Sequence, residues 1–145
     1  MRSEIRLEPL AAAKWRAVAE LPLTPEQRHF LPPNVNSIAE AQFYPDCQTR
    51  ALLADDRIVG FVMWGRQASG IWKLFRLMIT AEQQRRGYGK AATVAVLDWL
   101  RDRDIGSVEV SWQQDNAAAE RLYTGLGFVV RSRDGTKLTA SLAFG

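Results

Sequence analysis

The residues best suited to chemistry lie at positions 84–91, where the sequence runs Gln-Arg-Arg-Gly-Tyr-Gly-Lys-Ala. Gly87 and Gly89 permit a sharp turn that leaves backbone N–H groups uncovered by side chains. An apolar-periodic helix is predicted to begin there, so these groups would lie at its positive end, where phosphates bind. Three cationic side chains add charge to the same turn: Arg85, Arg86 and Lys90. We interpret residues 84–90, the phosphate loop, as a pyrophosphate-binding site.

Three kinds of phosphate site use glycine loops, and they differ in spacing. A P-loop requires G-x-x-x-x-G-K-[ST], which is excluded because Gln84 replaces its first glycine and Ala91 its hydroxyl. A dinucleotide fingerprint is formally present from Gly87 onward, with Glu109 about 20 residues further on. That fingerprint normally follows its strand almost directly, whereas residues 81–86 intervene here, so it is less favoured. The third pattern, Q/R-x-x-G-x-G/A, is matched by Gln84, Gly87 and Gly89.

A second motif lies further along the chain, on another predicted helix. Asn116 and Tyr123 are seven residues apart, so they share a face of that helix and their Cα atoms lie roughly 10 Å apart along its axis. The surrounding sequence is Asn116-x-x-Ala119-x-x-Leu122-Tyr123-x-x-x-Gly127-Phe128. From the residues alone, Asn116 could simply cap the helix, and Tyr123 could be a core aromatic with a hydrated hydroxyl.

Together the two motifs resemble the acetyl-CoA loop and the second signature, N-x-x-A-x-x-L-Y-x-x-x-G-F, of the GNAT superfamily of N-acetyltransferases. The resemblance implies that acetyl-CoA is the co-substrate, that a small-molecule amine is the acceptor, and that no metal takes part. It implies that the phosphate loop holds the pyrophosphate, chiefly through main-chain N–H groups. The residues implied there are Gln84, Arg86, Gly87, Tyr88, Gly89 and Lys90.

The resemblance also implies roles outside the loop. The backbone of Met78 and Ile79, at the end of the fourth strand, would hydrogen-bond the pantetheine arm like an added strand. Asn116 would lie near the amides of that arm. Tyr123 would be the general acid that protonates the departing thiolate, because a phenol pKa near 10 keeps its proton available at neutral pH.

No residue is assigned as general base. Several amine-acetylating relatives carry a carboxylate nine residues before the first motif position of the loop, and Phe75 occupies that position here. Either Glu40 or Glu109 acts through water, or bulk water takes the proton once a neutral amine has bound. We regard Glu40, Phe30 and Glu109 as candidate acceptor-binding residues, although Glu40 is equally suited to reach back to the Ser37 amide in a capping box.

Several stretches of the first 80 residues fit one further pattern: Gln27-x-x-Phe30, Asn34-x-x-Ser37-Ile38-Ala39-x-Ala41, Tyr44-Pro45, Val59-Gly60-Phe61-Val62-Met63 and Arg76-Leu77-Met78-Ile79. They resemble the bacterial spermine/spermidine (diamine) N-acetyltransferase group, which implies a polyamine acceptor. The basic composition leaves an amino acid, an aminoglycoside or a protein N-terminus open, because negative potential is what would steer a polycation. The alternative function is an acyl-CoA-binding module without catalysis.

The composition is that of one globular domain spanning residues 1–145. The chain is 47% hydrophobic and 24% charged, with a net charge of +3, and the basic excess on the phosphate loop gives no reason to expect nucleic-acid binding. No apolar run approaches ~18 residues and the N-terminus lacks an apolar leader, which predicts a cytoplasmic protein without a membrane partner. Cys47 is the only cysteine and is expected to be a packing residue. A homodimer is left open.

Periodicity predicts an α/β chain, an α+β mixed sheet with the order of the GNAT fold. The expected sheet is twisted and mostly antiparallel, with six to seven strands and about four helices, and its fourth and fifth strands splay apart in a V. Strands are predicted at residues 4–10, 50–54, 57–64, 71–80, 107–112, 128–131 and 137–144, and helical segments at 11–21, 24–30, 37–43, 88–103 and 116–126. A capping box is predicted at Thr24 and Gln27, and a tight turn between two strands at Asp55 and Asp56.

Overall fold

A seven-stranded sheet forms the centre of the molecule. The computed structural model describes residues 4–145; residues 1–3, which carry part of the N-terminal expectation, lie outside it. The strands are β1 (Arg6–Pro9), β2 (Gln48–Ala54), β3 (Arg57–Arg66), β4 (Trp72–Ile79), β5 (Ser107–Gln113), β6 (Val129–Asp134) and β7 (Lys137–Ala143). Their order is β1-β2-β3-β4-β5-β7-β6, and only the β4/β5 pair is parallel. This confirms the predicted mixed, mostly antiparallel sheet.

Helices cover both faces of the sheet. They are α1 (Trp15–Ala19), α2 (Pro25–Phe30), α3 (Asn34–Ala41), α4 (Tyr88–Asp102) and α5 (Ala117–Gly125), with a 3₁₀ turn at Ala81–Gln83. One apolar cluster packs α4 and α5 on one face, and a second packs α1 and α3 on the other. The alternation of β3 explains the division, because Val62 and Trp64 enter the first cluster and Phe61 and Met63 the second. None of the helices in residues 4–145 combines the length and hydropathy of a membrane span.

β4 and β5 separate soon after they meet. Their paired residues are only Lys73 with Glu109 and Leu74 with Val110, so residues 75–79 leave β5 behind. The predicted splay between the fourth and fifth strands is therefore confirmed. It opens a gap in the middle of the sheet.

A bulge on β4 lies at the start of this gap. Met63 of β3 pairs with Arg76, whereas Trp64 pairs with Leu74, so Phe75 has no counterpart. A bulged residue disturbs the alternation of side chains. Phe75 consequently packs into the cluster on the α3 side, and its neighbour Arg76 reaches Glu40 of α3 on that same side.

The first helix is shorter than predicted. Residues 11–21 were expected to be helical, but α1 spans only Trp15–Ala19. Lys14 precedes it without a capping side-chain hydrogen bond, so nothing local extends the helix backwards. At the other end, Pro22 disfavours the helical conformation of Leu21.

The capping box predicted at Ser37 and Glu40 is wrong. α3 begins at Asn34, and Ser37 lies buried inside it. The buried Asn34 amide donates to the Val18 carbonyl (3.0 Å), which ties the first turn of α3 to α1. Tertiary packing, rather than a cap, therefore decides where this helix begins.

Candidate active site

A cleft of about 690 Å³ opens where β4 and β5 separate. Residues 73–79 of β4 form one wall and residues 110–113 of β5 the other; α2, α5 and the phosphate loop line the remaining sides. This volume is in the range of small-molecule sites. Because the gap interrupts hydrogen-bonded strands, its walls can pair with an extended ligand.

The orientation of the β4 backbone decides which residues face the gap, because alternate residues of a strand bond opposite neighbours. Thr80 N–H donates to a carbonyl of β3 (2.9 Å). The Met78 carbonyl also points to β3, since a Cβ placed on Gly60 would collide with it. The backbone groups of Leu77 and Ile79 therefore face the cleft.

The Ile79 carbonyl already has partners. It accepts hydrogen bonds from Gln84 Nε2 (3.0 Å) and Gln27 Nε2 (2.8 Å). Gln27 also completes the capping box predicted at Thr24: its Oε1 accepts from Thr24 N–H (2.9 Å), and its N–H donates to the Thr24 hydroxyl (3.0 Å). One side chain thus caps α2 and fastens it to the end of β4, beside the cleft.

The phosphate loop makes its turn at Gly87. This residue precedes α4 with left-handed dihedral angles, φ 81° and ψ 8°, and Arg85 is also left-handed at φ 65°. The first helical hydrogen bond runs from Ala91 N–H to the Gly87 carbonyl (3.0 Å), so the N–H groups of residues 88–90 have no partner within the helix. A left-handed residue followed by right-handed ones arranges such groups around a common point that suits an anion.

Gly89 plays a different part from the one expected. It lies in the first turn of α4, and a Cβ there would be no closer than 3.8 Å to Leu122 and 4.0 Å to Leu77. Those are ordinary contact distances, and Gly89 is not among the residues with positive φ. The chain turns at Gly87, and Gly89 leaves room beside the helix end.

Seven of the nine residues predicted to bind acetyl-CoA line the cleft: Met78, Ile79, Gln84, Gly87, Tyr88, Gly89 and Asn116. Arg86 and Lys90 belong to the same loop but are not among the lining residues, whereas Arg85 is. The two motifs, separated in sequence, therefore meet at one opening.

Asn116 caps α5, which is the role that its residue type alone suggested. Its Oδ1 accepts a hydrogen bond from Ala119 N–H (3.1 Å). Because the oxygen is engaged, the amide nitrogen is the part of this side chain that remains to serve a ligand in the cleft.

Tyr123 lies two helical turns beyond Asn116 and also lines the cleft. Its side chain is only 7% exposed. The ring stacks on Trp112 (centroids 5.8 Å apart, 25°) and meets Phe128 edge-on (5.6 Å, 72°). Burial raises the pKa of the Tyr123 phenol above its ordinary value, so the hydroxyl keeps its proton at neutral pH.

The candidate acceptor residues are not brought together. Phe30 lines the cleft, but neither Glu40 nor Glu109 is among the lining residues in the described part of the chain. Glu40 accepts from Arg76 Nη2 (3.0 Å), and Glu109 accepts from Gln67 Nε2 (3.1 Å). Both carboxylates are thus engaged within the protein.

Four of the five cationic side chains at the cleft were missed by the sequence reasoning, which named only Arg85 among them as a cation of the site. The basic residues that line it are Lys73, Arg76, Arg85, Arg121 and Lys137. Within residues 4–145 the only acidic residue lining it is Glu26. Lys73 and Lys137 come from β4 and β7, and only the strand order shows that these two strands flank β5.

Cys47 is not a nucleophile at neutral pH. Burial, reinforced by the charge of Glu40, raises the pKa of its thiol to about 11, so the reactive thiolate is scarce. This supports the packing role expected for it. No cluster of three or more His, Cys, Asp and Glu residues is placed to hold a metal ion within residues 4–145.

Comparison with known proteins identifies the family. Residues 15–128 match the Acetyltransferase (GNAT) family. The chain belongs to this family. Over 128 residues, this GNAT chain is 34% identical to the mycothiol acetyltransferase of Renibacterium salmoninarum, an alignment covering 80% of the chain but 37% of that protein. The chain therefore spans little more than a third of the length of this relative.

Solved structures share the fold of this GNAT chain. The ribosomal-protein-S18-alanine N-acetyltransferase of Escherichia coli superposes with a TM-score of 0.76 at 22% identity, covering 97% of this chain and 94% of that one. The PaiA N-acetyltransferase of Thermoplasma acidophilum, solved in complex with coenzyme A, gives 0.70 at 17% identity over 97% and 99%.

The comparisons confirm the predicted superfamily but not the predicted subgroup. Further curated relatives carry the same name, mycothiol acetyltransferase. The assignment to spermine/spermidine N-acetyltransferases stays a prediction.

Proposed function

We propose that this protein transfers the acetyl group of acetyl-CoA to the primary amine of a small molecule. The observation that carries the proposal is the meeting of two features at one cleft: the unpaired N–H groups that begin α4 and the buried phenol of Tyr123. The first suits a pyrophosphate. The second holds a proton where a thioester could reach it. Membership of an acetyltransferase family and the coenzyme A in the Thermoplasma structure support the same co-substrate.

The pyrophosphate would be bound by the N–H groups of residues 88–90. Gln84 supports this position by holding the end of β4 through the Ile79 carbonyl. The cationic side chains of the loop add attraction that needs no fixed geometry. They are Arg85, Arg86 and Lys90.

The pantetheine arm would pair with β4 where β5 has left it. The residues whose backbone faces the gap are Leu77 and Ile79. Because the Ile79 carbonyl is occupied by Gln27 and Gln84, its N–H and the backbone of Leu77 are the groups that would serve the ligand. Met78 would line the arm without bonding it, and the amide nitrogen of Asn116 would meet a pantetheine carbonyl from the opposite wall.

Tyr123 would act as the general acid. The amine nitrogen bonds the acetyl carbon, the carbon–sulfur bond breaks with its electron pair going to sulfur, and the phenol donates a hydrogen bond to that sulfur. The proton that the acylated nitrogen loses passes to water, which can return one to the thiolate. The raised pKa lies above the ordinary pKa of a thiol, about 8.5. Full proton transfer to a free thiolate is therefore uphill, so hydrogen-bond donation to the developing charge is the main contribution of Tyr123.

We assign no side chain as the base. A free alkylammonium has a pKa near ~10.4, so about one molecule in a thousand is neutral at pH 7. Phe75 and Arg76 occupy the bulge of β4, and the cleft has no carboxylate there. The acceptor would lose its proton to water, and kcat/KM should rise about tenfold per pH unit below the pKa of the acceptor amine.

The acceptor itself is a further proposal. A polyamine follows from the sequence resemblance, and a mycothiol-related acceptor is suggested by the name of the Renibacterium relative. The other acceptor classes that the sequence leaves open are an amino acid, an aminoglycoside and a protein N-terminus. The cytoplasmic location, the homodimer and the lack of a nucleic-acid or membrane partner stay predictions.

Thiol release from acetyl-CoA, measured against a panel of these amines, tests the proposed function, with acetyl-CoA affinity measured separately by calorimetry. We expect affinity in the micromolar range and turnover with at least one primary amine. Binding without turnover of any amine would favour the acyl-CoA-binding module. Failure to bind acetyl-CoA would show that the cleft serves another ligand.

A further inference from the structure

We propose that the acceptor carries a carboxylate close to its reacting amine, and that Lys73 and Lys137 bind this carboxylate. The inference rests on the proposed function and names the class of acceptor: an amino acid or another amino carboxylate. It departs from the polyamine that the sequence resemblance implies.

Lys73 lies at the end of β4 farthest from the phosphate loop, and Lys137 lies across the cleft from β4, beside the end of β5. Lys73 is six residues before Ile79 on β4, which corresponds to roughly 20 Å along a strand. Lys137 begins β7 and pairs with Gln113 of β5. Both line the cleft. An acceptor that meets the acetyl group must therefore approach from their side.

The surroundings of the lysines are hydrophilic. Ser111 lies between them on β5 and lines the cleft, and its hydroxyl bonds the Thr139 hydroxyl of β7 (2.9 Å). Ser111, Gln113, Lys137 and Thr139 share one face of the sheet, because they alternate with Val110, Trp112 and Leu138 of the core. We call Phe30, Lys73, Ser111 and Lys137 the acceptor end of the cleft.

The two lysines of the acceptor end are only partly offset by nearby carboxylates. Glu109 is in register with Lys73 and opposes its charge, because the hydrogen bond that Glu109 accepts comes from the uncharged amide of Gln67. Arg76 and Glu40 neutralise each other in an ion pair (3.0 Å). Glu26 of α2 is the remaining carboxylate, at an exposed position.

The titration of Lys73 agrees with this balance. Burial, followed by the charges of Lys137 and Arg76, lowers the pKa of Lys73, and Glu109 only partly opposes them. Cations close enough to disfavour one another would be stabilised by a bound anion. A polyamine would instead bring further positive charge to a cationic site.

The test compares acceptors that differ only at the carboxylate. Amino acids and their amides would be assayed in pairs with the wild-type protein, with spermidine alongside, and kcat/KM from thiol release would be expressed per concentration of neutral amine. We expect the best amino acid to be preferred to its amide by at least about tenfold, and spermidine to be a poorer acceptor than either.

Two variants then locate the effect. Lys73→Gln and Lys137→Gln should each lower kcat/KM for the amino acid roughly 10-fold, with little change for the amide. The difference between the amine pKa values of the two acceptors enters every acid-to-amide ratio equally, so it cancels when the ratio of a variant is compared with that of the wild type. Lys14→Gln is the matched control: Lys14 pairs with Glu8 away from the cleft, and its ratio should equal that of the wild type.

The outcomes separate this inference from the proposed function. Turnover that favours the amide or spermidine, or acid-to-amide ratios unchanged in both lysine variants, overturns the carboxylate site and leaves the acetyltransferase intact. Acetyl-CoA binding without turnover of any amine overturns both. Acid preference in the wild type that is lost in the lysine variants supports the inference.

Discussion

The phosphate loop and the acceptor end border different parts of the cleft, and they are built by different means. Around the loop, consecutive residues supply backbone N–H groups, and the side chains mostly support the turn. The acceptor end is lined by side chains from α2, β4, β5 and β7, and these are the groups that the proposed acceptor would meet. A site made from backbone is encoded in one short stretch of sequence and changes little when side chains vary. A site made from distant side chains can change its ligand by single substitutions.

The largest effect is expected from a variant that disturbs the backbone of the phosphate loop. Gly87→Val places a β-branched residue at φ 81°, a conformation that such residues rarely adopt. We expect acetyl-CoA affinity to fall on the order of 100-fold, since several charge-assisted hydrogen bonds depend on the turn. Calorimetric titration measures the loss.

Gly89→Ala is the matched control for that experiment. The structure has room for its Cβ, and alanine in a helix is favoured over glycine by about 1 kcal/mol. The midpoint temperature of thermal unfolding should therefore rise. The affinity for acetyl-CoA should fall far less than in Gly87→Val. Equal losses of affinity in the two variants would show that the turn is not what the ligand needs.

Between the two ends lies the phenol of Tyr123, the one side chain to which the chemistry is assigned. Tyr123→Phe keeps the ring stacked on Trp112 and removes the proton donor. We expect kcat to fall on the order of 10²-fold with acetyl-CoA affinity nearly unchanged. Tyr44→Phe, which removes a hydroxyl bonded to Glu40 outside the cleft, should leave kcat within about twofold. An unchanged rate for Tyr123→Phe would remove this residue from the mechanism.

A smaller effect is expected at Gln27, which caps α2 and fastens it to the end of β4. Gln27→Glu preserves an acceptor for the Thr24 cap but replaces the donor to the Ile79 carbonyl with an oxygen. The free energy of unfolding should drop by about 1–2 kcal/mol, because a partly buried hydrogen bond is lost and two oxygens face each other. Gln27→Ala loses the cap as well and should be less stable than Gln27→Glu, as urea unfolding would reveal. The reverse order would mean that repulsion between the introduced carboxylate and the Ile79 carbonyl outweighs the loss of the cap.

The smallest effect concerns the ion pair beside the acceptor end. A double-mutant cycle with Glu40→Gln and Arg76→Gln should give a coupling energy of about 1 kcal/mol or less, because both side chains are partly exposed. Chemical denaturation of the four proteins measures it. A coupling of several kcal/mol would make this pair a main support of the β4 bulge.

Local patterns predicted the parts of the fold that depend on neighbouring residues. The Thr24 capping box formed as expected. So did the tight turn at Asp55 and Asp56, whose φ values of 49° and 67° are left-handed. The helix beginning after Gly87 and the order of the strands were likewise visible in the sequence, since each depends on short-range spacing and hydrophobic period.

Long-range contacts decided the features that the sequence did not reveal. The start of α3 depends on Asn34 bonding α1, and the partner of Glu40 is Arg76, thirty-six residues away. Gln27 reaches Ile79 across fifty-two residues. The acceptor end could not be predicted for the same reason, because Lys73 and Lys137 meet only after β4, β5 and β7 have taken their places in the sheet.

Because β4 and β5 separate early, few hydrogen bonds join the two parts of the sheet. Two residue pairs join a four-stranded part of the sheet, β1 to β4, to a three-stranded part, β5 to β7. An extended ligand bonded along this seam would complete the missing ladder, and ligands that bind only the native state raise its stability by mass action. The amide hydrogens of Leu77 and Ile79 should then exchange with solvent more slowly, and the two parts should unfold more nearly as one unit. The co-substrate would thus serve as a removable strand of the sheet.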